Sequence, residues 1–461
     1  MTDKSVNQKN IAKNYLKLGK FNLAKKALLA SIQHYQNDAD VYNLLGIVNA
    51  KLQKEKDAIL NFKEAIKLNN ELEPPFYNLM EIYEKSNQHQ NLEDTISSFL
   101  LKFNSNEYVL FYYSIILENK NEIKEAKKLL ESLLFTKNIE WQIKKNYRLA
   151  NLNHKIRNFN EAFVNYEKAN KMRLTSINND LFKKNKFIDE LESLINITTK
   201  NEFLKKTKNN KIKLAFIVGF PRSGTTLLDT ILRSNSKTFL LEEKPLIFQT
   251  IKILRENNID FNSDKISIYA NEVYTELLKR HIDIKEIENK ILIDRNPLNI
   301  ARITLINKFF PEAKIVVCIR HPLDCVFSCF SQDFAINNAM VNFLDLNRSA
   351  EIYNKVMTIY KNYKTNHMNN IIYEIKYEEL ISNYKVQILD LINFLDIKWE
   401  ESMENFTQAA KKRERIRTAS YNQVNKELYN NSVYKWRNYE HELKNIKLSL
   451  SKWESYFKYT N

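Results

Sequence analysis

Apolar positions in the first 176 residues recur with a period of about 34, the length of a pair of antiparallel helices. Small or apolar residues stand where a first helix would contact its partner, at Ala12, Gly46, Met80, Ser114 and Ala150. A matching set in the next helix is Ala24, Ala58, Leu92, Ala126 and Ala162. Large residues follow four positions later, at Leu28, Phe62, Ile96, Leu130 and Tyr166. The pattern predicts five successive helical hairpins.

One such hairpin cannot bury its apolar face alone, so the units are expected to stack into a superhelix. The period and the small-residue positions resemble those of tetratricopeptide repeats. We therefore expect an α-solenoid over residues 1–176 and a Lys- and Asn-rich linker helix over 177–211. The concave face of such a solenoid commonly holds a peptide or protein. The alternative is that the repeats only cap or dimerise the second half.

The pattern changes after residue 212, where short apolar runs end in polar residues. Leu214 to Val218 is the first run, and similar runs begin near residues 239, 291, 314 and 375. Helical segments separate them, and five of the seven prolines fall at or beside the ends of these runs. Strands that alternate with helices predict an α/β domain with a parallel sheet over residues 212–461.

The turn after the first of these strands has the composition of a phosphate-binding loop. Gly219 and Gly224, two of only four glycines in the chain, flank it, and an apolar helix follows. Backbone N–H groups at such a helix start attract an anion. The loop lacks the lysine of nucleoside-triphosphatase loops, because Gly224 is followed directly by Thr225 and Thr226. Its fixed cation is Arg222, whose guanidinium suits a phosphate held without Mg²⁺.

The residues Pro221 to Thr226 resemble the 5′-phosphosulfate-binding loop of sulfotransferases, the enzymes that use 3′-phosphoadenosine 5′-phosphosulfate. The similarity is strongest to protein-tyrosine sulfotransferases and to bacterial enzymes with a tetratricopeptide-repeat front half, and it extends over about residues 212–440. It implies a P-loop-like parallel-sheet sulfotransferase domain. It also implies that the loop binds the 5′-phosphosulfate through Arg222, Ser223, Gly224, Thr225 and Thr226.

Two carboxylates end the second strand, and transfer to a hydroxyl needs a base there. Glu243 lies 21 residues after Arg222, the separation at which the tyrosylprotein enzymes have their catalytic glutamate. The resemblance therefore implies Glu243 as the catalytic base, with Glu242 as the rival.

The third strand ends in Asp294-Arg295-Asn296-Pro297, where the family has a lysine that donates to the bridging oxygen. Arg295 occupies that position and is implied to stabilise the transferring sulfuryl group. An arginine keeps the charge but differs in shape from an ammonium.

Arg320 ends the fourth strand and Ser328 follows eight residues later, the spacing of the family's 3′-phosphate site. Gln332 stands where the family often has a second arginine. Tyr377 matches the family's nucleotide-contacting tyrosine.

The segment Ser420 to Tyr429 and the later Lys435 resemble the family's adenosine-covering loop. This similarity implies that Ser420 contacts the sulfate and is catalytic, and that Lys435 contacts the phosphates. The loop residues implied to bind the nucleotide are Ser420, Tyr421, Gln423 and Val424. The basic run at 411–417 is open to three interpretations: cofactor binding, acceptor binding or a solvated helix face.

The amino-acid composition limits the classes of binding partner that are expected. Lys and Arg number 71 against 55 Asp and Glu, and the net charge of +16 favours an acidic acceptor. Nucleic acid is not expected, because basic residues are not interleaved with aromatics in a block. Cys318, Cys325 and Cys329 suggest neither a disulfide framework nor a metal site. No signal peptide or membrane span is expected, so we predict a cytoplasmic protein.

The resemblance implies transfer of a sulfuryl group from 3′-phosphoadenosine 5′-phosphosulfate, a co-substrate, to a hydroxyl acceptor, with adenosine 3′,5′-bisphosphate as product. The acceptor is expected to be a protein, peptide or other extended acidic molecule docked by the repeats, such as a protein tyrosine. Two alternatives are a nucleotide kinase on the same fold and a non-catalytic repeat adaptor. The missing loop lysine argues against a kinase.

Overall fold

A computed structural model of the 461-residue chain describes residues 3–177, 179–198, 212–366, 371–407 and 432–459. Its backbone contacts divide the chain into two compact units, Met1–Asn158 and Phe159–Asn461. The first is helical and the second contains the sheet. The predicted order of a helical repeat region followed by a parallel-sheet domain is confirmed.

The first unit is built of antiparallel helix pairs. Its helices are α1 (Asp3–Lys17), α2 (Phe21–His34), α3 (Ala39–Lys51), α4 (Glu55–Leu68), α5 (Pro74–Lys85), α6 (His89–Leu100), α7 (Glu107–Asn119), α8 (Ile123–Ser132) and α9 (Ile139–Lys155). Polar caps define several starts: the Asp38 carboxylate accepts from the N–H of Val41, and the Asn106 side chain accepts from the N–H of Val109.

The positions that define the repeat are buried. All fifteen small and large residues of the sequence pattern lie in the interior. Gly46 shows why size matters, because a Cβ atom there would lie 2.4 Å from the ring of Phe62. Side chains placed this closely specify the pairing of helices more strongly than helix propensity does.

The second unit alternates helices and strands. Its helices are α10 (Phe159–Ser176), α11 (Asn179–Lys183), α12 (Lys186–Thr198), α13 (Thr225–Arg233), α14 (Leu246–Glu256), α15 (Ile266–Leu278), α16 (Ile303–Phe309), α17 (Pro322–Phe330), α18 (Leu346–Asn366), α19 (Tyr377–Ser382), α20 (Tyr384–Leu395) and α21 (Lys444–Tyr456). Its strands are β1 (Leu214–Gly219), β2 (Thr238–Glu242), β3 (Ile291–Arg295), β4 (Lys314–Ile319) and β5 (Ile372–Lys376). Short 3-10 helices lie at Ile284–Ile287, Pro297–Arg302, Met340–Leu344, Glu401–Met403 and Lys435–Tyr439.

The five strands form one parallel sheet in the order β2-β3-β1-β4-β5. After β1 the chain first builds one side of the sheet and then crosses to the other side with β4. In open α/β sheets the ligand lies at the carboxyl ends of the strands where this reversal occurs. That point lies between β1 and β4, so the loop after Gly219 and the residues after Ile319 flank it.

Both faces of the sheet are covered. Ala215 and Ile217 of β1 belong to a core shared with α13 and α20. Phe216 points to the other face, where its ring lies 5.7 Å from that of Phe310. Buried alternation on both faces explains why the strands are continuous apolar runs.

The predicted domain boundaries at residues 176 and 211 stay predictions. Helices α10, α11 and α12 lie in the compact unit that contains the sheet. Arg302 pairs with Glu190 of α12 at 2.6 Å, and Lys355 pairs with Glu192 at 2.8 Å. Among the described residues, no helix is long and apolar enough to cross a membrane.

Candidate active site

The turn after β1 is closed so tightly that two of its positions require glycine. A Cβ atom on Gly219 would lie 2.6 Å from the carbonyl oxygen of Cys318 on the neighbouring strand. Gly224 has a φ of +102°, and a Cβ there would lie 2.7 Å from the ring of Tyr377. The glycines therefore let the turn approach β4 and α19 directly.

This turn presents hydroxyl groups at the start of α13. Ser223 is 2% exposed, and its Oγ has no hydrogen-bond partner among the described residues. Thr225 and Thr226 are buried beside it and form the first turn of the helix. The first N–H groups of a helix have no intrahelical acceptor. A buried, unpaired hydroxyl beside such donors fits an anion such as the 5′-phosphosulfate.

Arg222 connects the turn after β1 to α17, the helix that carries Ser328. Its backbone has a φ of +70°, a left-handed conformation unusual for a side chain of this size. Its Nε donates to Ser328 Oγ at 3.0 Å. The main-chain carbonyl of Arg222 accepts from Arg320 Nη1 at 3.0 Å. The predicted 5′-phosphosulfate loop and the predicted 3′-phosphate pair are thus brought into contact.

Arg320 is buried at the carboxyl end of β4. Its guanidinium lies 4.8 Å from the centre of the Tyr377 ring and donates to the carbonyl of Ser432. Asp324 provides a carboxylate 3.6 Å from Nη2. Tyr377 therefore contacts both the turn after β1, through Gly224, and Arg320.

Lys435 completes a group that we call the cationic cluster, consisting of Arg222, Arg320 and Lys435. Burial, together with the charges of Arg222 and Arg320, lowers the pKa of Lys435 to about 8. The next residue is anchored, because the N–H of Trp436 donates to Asp324 Oδ1 at 2.9 Å. Three positive groups held this closely repel one another, and an anion bound among them would relieve that repulsion.

A second charged group lies at the ends of β2 and β3 and is named the acidic cluster: Asp229, Glu242 and Glu243 around Arg295. Arg295 Nη1 lies 2.7 Å from Glu243, Nη2 lies 3.0 Å from Glu242, and Nε lies 3.4 Å from Asp229. Arg295 is 0% exposed. Since three carboxylates surround one guanidinium, the cluster carries excess negative charge.

Glu243 differs from Glu242 in exposure and backbone. The side chain of Glu243 is 41% exposed and that of Glu242 only 13%. Glu243 also has a φ of +47°, and its N–H donates to the carbonyl of Arg295 at 2.8 Å. Burial raises the pKa of the Glu243 carboxyl, while Arg295 opposes that rise. A more accessible carboxyl with a raised pKa is the better proton acceptor.

The expected contact between Arg295 and the transferring group stays a prediction. What the structure shows is a buried guanidinium with a carboxylate at each of its three nitrogens. The predicted loop residues Ser420, Tyr421, Gln423 and Val424, like the basic run 411–417, lie outside the described residues.

Sequence reasoning missed Asp229 and Asp324. Asp229 is wholly buried in α13 and pairs with Arg233 at 2.9 Å as well as with Arg295. A charged residue within an otherwise apolar helix was the available signal for both residues. The described residues contain no group of three or more His, Cys, Asp or Glu placed to hold a metal, and the expected absence of a metal stays a prediction.

Residues 215–401 match the model of the sulfotransferase family. This range contains β2 to β5, all but the first residue of β1, the acidic cluster, and Arg222 and Arg320 of the cationic cluster. The C-terminal half contains a sulfotransferase-family domain. A protein of Aquifex aeolicus (strain VF5), described as uncharacterized, is 26% identical to the chain over 343 residues. That match covers 70% of this chain, which spans only 44% of the relative's length.

Two solved structures are similar to the chain at low identity. The sulfotransferase domain from the curacin biosynthetic pathway is 17% identical, with a TM-score of 0.36, and covers 53% of this chain and 99% of its own. The TPR domain of P58(IPK) is 12% identical, with a TM-score of 0.21, and covers 89% of this chain and 99% of its own. The sulfotransferase domain itself is defined by the family match.

Proposed function

We propose that the protein transfers a sulfuryl group from 3′-phosphoadenosine 5′-phosphosulfate to the hydroxyl of an acceptor. The observation that carries this proposal is the pair of oppositely charged clusters at the carboxyl edge of one sheet. Helix α13 links them, because it begins in the phosphate turn and carries Asp229, which contacts Arg295 of the acidic cluster. An anionic donor and a proton acceptor are thereby held by one rigid element.

The cationic cluster and the turn would bind the donor nucleotide. Ser223, Thr225 and Thr226 with the start of α13 suit the 5′-phosphosulfate, and Arg222 supplies a charge beside them. Arg320 and Ser328 suit the 3′-phosphate. Charge-assisted hydrogen bonds from guanidinium groups are well suited to phosphate oxygens.

The acidic cluster would supply the base. Glu243 accepts the proton of the acceptor hydroxyl as that oxygen forms its bond to sulfur. The bond between sulfur and the phosphate oxygen breaks, and its electron pair stays on the phosphate, where Arg222 and the turn stabilise the charge. The proton thus goes to Glu243, the electron pair to the phosphate and the sulfuryl group to the acceptor oxygen, and this step uses no metal.

We propose a positioning role for Arg295 beside the direct contact expected from the family. Its charge keeps Glu243 ionised, and its three ion pairs fix the carboxylate relative to α13. A guanidinium enclosed by carboxylates is well placed for that role, whereas a compact ammonium would reach fewer of them.

The repeat unit is proposed to dock an extended acidic acceptor, such as a peptide that contains a tyrosine. Its support is the confirmed stack of helical hairpins and the positive net charge of the chain. Such binding should weaken as salt rises, because exposed charges are screened within about 10 Å at 0.1 M ionic strength.

A labelled-donor assay tests the proposal. Purified protein is incubated with ³⁵S-labelled 3′-phosphoadenosine 5′-phosphosulfate and a cell extract, and label is followed into protein, glycan and small molecules. Transfer of label that requires the protein is expected. If the protein instead moved ³²P from labelled ATP and left ³⁵S untransferred, a kinase would replace the sulfotransferase assignment.

A further inference from the structure

Helix α10 has the sequence pattern of a repeat but packs within the unit that contains the sheet. Its Phe163 stacks on Phe330 of α17, with ring centres 5.6 Å apart and planes at 23°. Tyr166, the large residue of the repeat pattern, meets Phe327 edge-on at 6.1 Å. In the repeat pattern this position fills the groove toward the next hairpin. Here α17 of the sulfotransferase domain lies against it.

Polar contacts fix α10 to the end of α17. Asn170 is 1% exposed, and its Nδ2 donates to the carbonyl of Phe330 at 2.9 Å. Phe330 is the last residue of α17, and the final carbonyls of a helix have no intrahelical donor. Arg173 Nη2 lies 3.0 Å from Asp333 Oδ1, just beyond this end. Asn170 therefore acts as a cap supplied by another helix.

The end of α17 is part of the proposed nucleotide site. Ser328 lies two residues before Phe330, and its Oγ accepts from Arg222. Phe327 packs against Tyr439 at 4.1 Å, and the Lys435 ammonium lies 5.8 Å from the Phe327 ring. A displacement of this end of α17 would thus move Ser328 and disturb the packing beneath Lys435.

Helix α10 also reaches the Lys435 segment directly. The ring of Phe159, its first residue, lies 5.6 Å from that of Tyr439, at the end of the 3-10 helix that begins with Lys435. One helix therefore contacts both the element that presents Ser328 and the element that presents Lys435.

We propose that α10 is a positioning element of the nucleotide site and that Asn170 is a positioning residue for Ser328. This inference rests on the proposed function, because it assumes that Ser328 binds the 3′-phosphate. It gives the last helix of the repeat pattern a task in donor recognition. Removing the Asn170 cap should impair recognition of the 3′-phosphate more than recognition of the 5′-phosphate.

The test is calorimetric binding of adenosine 3′,5′-bisphosphate and of adenosine 5′-phosphate to the full chain and its variants. Asn170→Ala should weaken binding of the bisphosphate about three- to tenfold, the effect expected from loss of the single hydrogen bond between Asn170 and Phe330. Binding of adenosine 5′-phosphate should change much less. Asn165→Ala is the matched control, because the Asn165 amide donates to Glu161 within α10 itself.

The outcomes separate the two proposals. If the native protein binds both nucleotides equally, the 3′-phosphate assignment fails. If it prefers the bisphosphate and Asn170→Ala keeps that preference, or loses affinity for both nucleotides equally, the positioning role is overturned. Should Asn170→Ala not fold, Asp333→Asn breaks the Arg173 contact from the α17 side. A selective loss for the bisphosphate supports the inference, and an unchanged ratio overturns it.

Discussion

The cationic cluster and the acidic cluster occupy the same edge of the sheet but are neutralised in opposite ways. Arg295 is enclosed by three carboxylates, all within 3.4 Å. In the cationic cluster, Asp324 is the carboxylate that pairs with Arg320, at 3.6 Å, and Arg320 is also held by backbone carbonyls. In the acidic cluster, all three carboxylates therefore pair with Arg295, and the excess negative charge favours uptake of a proton. In the proposed function, the bound donor adds negative charge to the cationic cluster and so reduces the repulsion among its three cations.

The largest effect expected from this comparison is at Glu243. Glu243→Gln keeps the size of the side chain but removes the proton acceptor, so turnover should fall about 10²-fold or more. Binding of adenosine 3′,5′-bisphosphate, measured by calorimetry, should be unchanged. Glu242→Gln is the matched control and should be mild. A stronger loss in Glu242→Gln would transfer the role to that residue.

In the cationic cluster, Arg320→Ala should lower the preference for adenosine 3′,5′-bisphosphate over adenosine 5′-phosphate at least tenfold. The reason is that one charge-assisted contact contributes about 1.5–3 kcal/mol. Titration calorimetry with both nucleotides gives the ratio directly. An unchanged ratio would separate Arg320 from the 3′-phosphate.

The role of Arg295 can be read from the dependence of rate on pH. Arg295 lowers the pKa of Glu243 against the effect of burial, so Arg295→Lys, which contacts fewer carboxylates, should let that pKa rise. Glu243 would then lose its proton only at higher pH, and the acid limb of kcat/KM should move upward by several tenths of a pH unit or more. At pH values above this limb, the activity of Arg295→Lys should largely match that of the native protein.

A matched control for this experiment is Arg233→Lys, because Arg233 pairs with Asp229 of the same cluster. It should leave the acid limb in place. If Arg295→Lys instead lost activity equally at every pH, a direct contact between Arg295 and the transferring group would be indicated.

The smallest expected effect concerns Lys435. Its pKa of about 8 without ligand means that it loses its charge as pH rises through that value. A bound phosphate favours the charged form, so binding above pH 8 takes up a proton and affinity should fall a fewfold between about pH 7 and pH 9. Lys435→Met should remove this pH dependence. A dependence that persisted in the variant would have to come from another group.

Features that depend on nearby residues could be predicted from the sequence, whereas features that depend on contacts between distant segments could not. The tight turn after β1 was predictable because a positive φ and close backbone approach require glycine locally, as at Gly224. The repeat was predictable because small residues recur where helices touch, as Gly46 does against Phe62. The order of the two halves and the parallel sheet followed from these signals and are confirmed.

The charged surroundings of Arg295 could not be read in this way. Its three carboxylates come from α13 and from the end of β2, so they are distant in sequence from β3 and meet only because β2 pairs with β3 and α13 packs beside them. Burial of Arg295 depends on the same packing. A motif gives the residue type at a position but not the number of charges that the fold brings around it.

Local geometry followed from the sequence alone: the repeat spacing, the strands that end in polar turns, and the glycines of the turn after β1. The tertiary structure decided the allocation of residues to tasks. It placed α10, whose Ala162 and Tyr166 follow the repeat pattern, against α17 of the sulfotransferase domain. The reason is physical: a helix has one pattern of apolar residues, but which surface covers that pattern is settled only when the whole chain packs.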